Sequence, residues 1–247
     1  MSVDKNINLN IDHLKEQLKH DDWYIRLEDY LKTVVFPIVH GDINVKTRRH
    51  MFYDLVTQML SENQIPLAKN GPNFDKDRKL INTIVIHHSD EDPNMKLSKL
   101  SAIGFVRQYG KDYLHEETCG YRIKGQPIWS GHFKDGEMVF FAYHFIVFEN
   151  GRIERLLEDK YIGWQSGDWD INTRSIAIVL AGDYANKNPS EKQIKAIANI
   201  IKQNYSHVSL DRIFGHREIN LQTICPGDKF IGGWKNTLLE AVRVKYS

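Results

Sequence analysis

The chain has 247 residues, 41% of them hydrophobic and 26% charged, which suits one large domain or a catalytic domain with a smaller companion. Lys and Arg number 33 against 32 Asp and Glu, a net charge of +1, so no overall field draws the chain onto nucleic acid or anionic lipid. No stretch approaches the roughly 18 apolar residues that span a bilayer, and two cysteines, Cys119 and Cys225, are too few for a disulfide-stapled scaffold.

Residues 1–76 read as a helical N-terminal region, either an independent domain or an extension packed on the main domain. Leu27, Tyr30, Leu31 and Val34 fall at helical spacing up to Pro37, and Met51, Leu55, Met59 and Leu60 give a second helical pattern. The loop Lys69-Asn70-Gly71-Pro72-Asn73 closes this region. Ile84-Val85-Ile86 then predicts a short buried strand. Leu97, Leu100, Ile103 and Val106 predict a helix ending near Gly110, and 111–138 reads as irregular, with a turn at Asp135-Gly136. A long strand is expected over Val139 to Phe148, returning through the Asn150-Gly151 turn into Arg152–Leu157. Ile176–Leu180 reads as another buried strand. Ser190 and Gln193 form a capping box that opens a helix with Ile194, Ile197 and Ile201 on one face. A short strand at Ile213-Phe214 and a helix near Thr237–Val244 complete the chain. The expected architecture is α/β: residues 77–247 form a mixed central β-sheet flanked by helices, preceded by the helical region.

Candidate metal ligands stand where strands end. His87 closes the Ile84–Ile86 strand, His216 follows Ile213-Phe214, and Cys225 comes nine residues later. A catalytic zinc takes three protein ligands and leaves one position open, and strand ends hold side chains more rigidly than loop tips. Spacing alone leaves the bland alternatives standing. A solitary His is usually exposed or hydrogen-bonded, a buried Cys is usually a small apolar side chain, and His-x8-Cys is not a finger spacing. The two cysteines also allow one disulfide, although a free or metal-bound thiol fits the composition better.

The motifs in order narrow these alternatives. Ile84-Val85-Ile86-His87-His88-Ser89, Tyr143-His144-Phe145-Ile146-Val147, Asn150-Gly151 and Gly163-Trp164 are followed by Asn172-Thr173-Arg174-Ser175-Ile176-Ala177-Ile178. Pro189 to Gln193, Gly215-His216-Arg217 and Cys225-Pro226-Gly227 complete the series. Over roughly residues 80–235 the chain resembles the zinc-dependent N-acetylmuramoyl-L-alanine amidases of the type 2 family, which include phage lysozyme-type amidases and peptidoglycan recognition proteins. The resemblance implies one Zn2+ per chain on His87, His216 and Cys225. It also implies an active-site tyrosine at Tyr143 and a second polar group beside the metal at Thr223. The substrate implied is the amide between N-acetylmuramic acid and the L-alanine of the stem peptide, in peptidoglycan or a muropeptide.

Several features qualify the match. Thr223 stands where phage members often carry lysine, Gln165 where the family often has histidine after Gly-Trp, and Val179 and Cys225 where the recycling branch has glutamate and aspartate. Substrate contacts are expected from Gln165, Trp164, His88 and Trp129. His88 would point away from His87 by strand alternation, and His144 reads as a core residue rather than a ligand. The alternative reading is a non-catalytic peptidoglycan-binding module, although such relatives typically lose the cysteine. The N-terminus lacks a basic segment followed by an apolar run. Synthesis in the cytoplasm without a Sec signal is therefore expected, with endolysin-like action on the wall after lysis or non-Sec export. The N-terminal region could also bind a protein partner.

Overall fold

The computed structural model describes residues 10–37, 42–115 and 120–244. Cys119, and with it the question of a disulfide, lies outside them. The chain forms two compact units, Met1–Gly71 with Ser101–Ser130, and Pro72–Leu100 with Gly131–Ser247. Residues 101–130, read from sequence as part of the 77–247 region, thus cluster with the N-terminal helices. Among the described residues no helix is long and apolar enough to cross a membrane.

The first unit is helical. Asn10 opens the helix Ile11–Leu18 by accepting from the His13 N–H, and Asp42 opens Ile43–Ser61 by accepting from Asn44 and Val45. Its core is aromatic: Trp23 stacks on Phe105, and the Tyr24 hydroxyl accepts from the Gly125 N–H while donating to the Gln126 carbonyl. Helical structure does not stop at Gly110 but runs on through Lys111–Leu114. Gly110 is there for packing, since a Cβ would stand 3.2 Å from the Trp23 ring.

The second unit holds a five-stranded sheet. Its strands are β1 (Thr83–His88), β4 (Phe145–Val147), β5 (Ile153–Arg155), β6 (Ser175–Leu180) and β7 (Ile213–Gly215), in the order β5-β4-β6-β1-β7. The pairs β4·β6, β6·β1 and β1·β7 are parallel, and β5 runs antiparallel to β4, which makes the sheet mixed as expected. β2 (Phe133–Lys134) and β3 (Glu137–Met138) form a separate hairpin through Asp135 and Gly136, both at positive φ. All six residues of β1 and of β6 are buried, as central strands covered on both faces require. The helix Glu191–Asn204 opens on the Ser190–Gln193 capping box. It joins Trp234 and the helix Lys235–Arg243 in the core over Ile176, Ile178 and Leu180.

The strand expected over Val139–Phe148 pairs only at Phe145–Val147. Phe140, Phe141 and Ala142 are buried in succession, and Gly163 presses so closely that a Cβ on it would meet the Ala142 carbonyl oxygen at 2.3 Å. Burial by loop packing, not by strand pairing, is what this apolar run records.

Candidate metal centre

Parallel strands carry ligand-binding residues at their carboxyl ends, and here β1 and β7 end side by side. β1 delivers His87 as its fifth residue. β7 delivers His216 as the first residue of the turn His216–Ile219, and the loop after that turn returns Cys225. The ligating atoms of the three lie within 4.8 Å of one another. His87 Nδ1 is 3.6 Å from Cys225 Sγ, and the two imidazole centroids are 4.6 Å apart. The cysteine is fixed by its backbone, whose N–H donates to Thr223 Oγ1 at 3.1 Å and whose carbonyl accepts from Arg217 at 2.7 Å.

The donor set fits zinc. A tetrahedral zinc with Zn–N of about 2.0–2.1 Å and Zn–S of about 2.3 Å has an N···S edge of roughly 3.5 Å, close to the spacing of His87 and Cys225. Electrostatics agree. Burial first, and then the neighbouring His216, hold the His87 imidazole well below its usual 6.5, so it stays neutral as a ligand must. Burial pushes the Cys225 thiol up to about 12, so within the protein's own field a thiolate needs a cation to form. The His88 backbone N–H already donates to that sulfur at 3.3 Å.

The sequence match decides the family. A family model described as N-acetylmuramoyl-L-alanine amidase matches residues 76–228, more than half of the chain and all of the triad. The chain belongs to this amidase family. No curated protein matches it by sequence. Similar solved structures include the N-acetylmuramoyl-L-alanine amidase LysC from Clostridium intestinale URNW, at 18% identity and TM-score 0.48, covering 73% of this chain and 96% of that one. The Ph2119 endolysin from Thermus scotoductus MAT2119 bacteriophage Ph2119 aligns at 18% identity and TM-score 0.42, over 66% and 86%. Drosophila peptidoglycan recognition protein SD aligns at 16% and TM-score 0.41, over 64% and 80%.

The other residues that the amidase motifs single out divide between the surroundings of the triad and the core. Tyr143 is half-buried, its ring centroid 5.0 Å from that of His87. Thr223 is half-buried two residues before Cys225. His88 faces the other way, its Nδ1 accepting from the Tyr184 N–H at 2.9 Å and lying 3.8 Å from Asp183. Trp164 is buried between Phe74 and Trp169, and of the two tryptophans Trp169 is the one exposed, at 42%. Trp129 belongs to the first unit, where Gly71 leaves room for its ring and its N–H donates to the Tyr113 hydroxyl. Gln165 is 3% exposed. Its Oε1 is 2.5 Å from His87 Nε2 and its Nε2 donates to Ser175 Oγ. Its amide is thus engaged inside the protein, with His87 on one side and Ser175 on the other. The motifs give no role to Ser166, whose carbonyl oxygen is 3.2 Å from His216 Nε2, or to the side chain of Asn172. The Asn172–Ser175 segment was the available signal.

His144 is a core residue. Its Nδ1 accepts from Ala177 N–H at 3.1 Å and its Nε2 donates to the Tyr161 carbonyl at 3.0 Å. Burial, with Arg78 nearby, lowers it from 6.5 to about 3. A depressed histidine stabilises the fold fully above its unfolded pKa near 6.5 and progressively less as pH falls toward 3. Urea unfolding midpoints are therefore expected to drop across that window. His144→Gln, which keeps a donor and an acceptor but does not titrate, should flatten the drop while lowering stability at pH 8. Parallel slopes for parent and variant would show that other groups govern it.

Proposed function

We propose that this chain is a zinc-dependent N-acetylmuramoyl-L-alanine amidase that hydrolyses the amide between N-acetylmuramic acid and L-alanine in peptidoglycan or its fragments. The observation that carries this reading is the convergence of His87, His216 and Cys225 at the carboxyl ends of two parallel strands, in a chain of the amidase family.

His87, His216 and Cys225 would hold one zinc ion. When bound, zinc supplies Lewis-acid polarisation of a carbonyl and activation of a water near neutral pH. The chain's own residues do the rest. The buried, neutral His87 imidazole and the buried sulfur give that side of the site a low dielectric in which polar contacts gain strength. Tyr143, whose ring lies beside that of His87, would donate its phenolic proton to the oxygen on which charge grows during attack. Thr223 offers a neutral hydroxyl where lysine would bring charge, and its oxygen also holds the Cys225 backbone N–H. Retention of all three ligands together with Tyr143 favours cleavage over recognition alone.

The test measures zinc in the purified protein and the release of new L-alanine amino termini from peptidoglycan. About one zinc per chain with amide cleavage that a chelator abolishes is the expected result. Bound zinc without cleavage would make the chain a recognition module, and absence of zinc would remove the metal reading.

A further inference from the structure

Both candidate histidine ligands lean on the same short strap. His87 Nε2 meets Gln165 Oε1 at 2.5 Å, and His216 Nε2 meets the Ser166 carbonyl oxygen at 3.2 Å. A carbonyl oxygen only accepts, so each Nε2 carries a proton, which leaves Nδ1 as the nitrogen through which each ring can ligate. For His87 that Nδ1 is the nitrogen beside Cys225 Sγ. Two consecutive residues thus set the tautomer of two ligands that are far apart in sequence.

The strap is itself pinned at one atom. Asn172 Oδ1 accepts the Gln165 N–H at 3.3 Å and the Ser166 N–H at 3.0 Å, and Ser166 Oγ lies 2.8 Å from the same oxygen. Asn172 is 6% exposed and Ser166 fully buried. Gly167, at φ +75°, turns the chain, and Asp168 then caps the helix Trp169–Arg174 that carries Asn172. From the other side, Arg78 Nη1 donates to the carbonyls of Asn172, Thr173 and Ser175. Gln165 is steadied in turn by Ser175 Oγ at the start of β6.

We propose that Asn172 is a positioning residue for the metal centre, acting through Gln165 and Ser166 to present the Nδ1 atoms of His87 and His216 together. The inference rests on the metal reading above and adds to it. Partners that orient ligating histidines typically change metal affinity by about 10–100-fold when removed. A brace with a purely structural role would lower the stability of the metal-free protein and leave zinc affinity alone.

The experiment measures zinc affinity by chelator competition, the visible spectrum of the cobalt-substituted protein, and the melting temperature of the metal-free protein. The variants are Asn172→Ala, Asn172→Asp and Gln165→Leu. Asn172→Ala and Gln165→Leu are each expected to weaken zinc binding by about 10–100-fold and to change the cobalt spectrum. Asn172→Asp keeps an accepting oxygen and is expected to stay close to the parent. Should Asn172→Ala fail to fold, Gln165→Leu and Asn172→Asp decide. If the parent binds zinc and either a folded Asn172→Ala or Gln165→Leu binds it as tightly with an unaltered cobalt spectrum, the positioning role is overturned, whatever the melting temperatures. A parent that binds no zinc overturns the metal reading and this inference with it.

Discussion

Cys225→Ala is expected to lose zinc and amide cleavage together while the metal-free protein still folds. The sulfur is the one donor of the three that must give up a proton to bind a dication, and burial holds that proton tightly, with a pKa of about 12. The surroundings nevertheless prepare for a thiolate. The His88 N–H points at the sulfur, and the Thr223 hydroxyl and Arg217 N–H fix the backbone on either side of it. Losing a metal that contributes several kcal/mol of transition-state stabilisation corresponds to a rate loss on the order of 10³-fold or more. Cys225 is 9% exposed, and removing its sulfur leaves only a small cavity, so folding should survive, which circular dichroism of both proteins would check. Cys225→Asp is expected to fall between parent and alanine variant in zinc content, because zinc accepts a carboxylate oxygen but a buried carboxylate is costly when the metal leaves. An alanine variant that kept a full equivalent of zinc and its activity would remove Cys225 from the ligand set.

Much of this centre was legible in the sequence because its parts are local. A β-branched run ending in two histidines, a strand followed by Gly-His and a cysteine before Pro-Gly each announce themselves within a few residues. The Ser190–Gln193 capping box and the Asp135-Gly136 turn are equally local, and both form as read. Alternation along β1 separated His87 from His88, whose ring is held by Tyr184. What could not be read is what depends on the order of strands in space. Nothing in the string places Gln165 and Ser166 against candidate ligands 78 and 50 positions away, and one of those contacts uses a backbone carbonyl, which any residue would supply. The grouping of residues 101–130 with the N-terminal helices likewise rests on pairs such as Tyr24 with Gly125 and Gln126, over 100 positions apart. The apolar run before Phe145 misled for a related reason. Burial gives the same composition whether the chain pairs with a neighbouring strand or is pressed under a glycine such as Gly163.

Tyr143→Phe is expected to keep its zinc and lose about 10²–10³ in kcat, the range seen when one donor to a developing oxyanion is removed. The geometry explains why this position and not its neighbour should matter. Tyr143 and His144 precede β4 and point to opposite sides. His144 is locked between Ala177 and Tyr161 in the core, whereas Tyr143 remains half-buried with its ring beside that of His87. Phenylalanine keeps the ring and its packing and removes only the hydroxyl. A fall in kcat with KM and zinc content unchanged would mean that the hydroxyl acts in the transition state and not in substrate binding. A rise in KM alone would make Tyr143 a binding residue, and loss of zinc would make its ring a support for His87. The contrast with Cys225→Ala is the informative part. If both variants lose cleavage but only the cysteine variant loses metal, zinc binding and stabilisation of the reacting carbonyl are separate tasks of adjoining side chains.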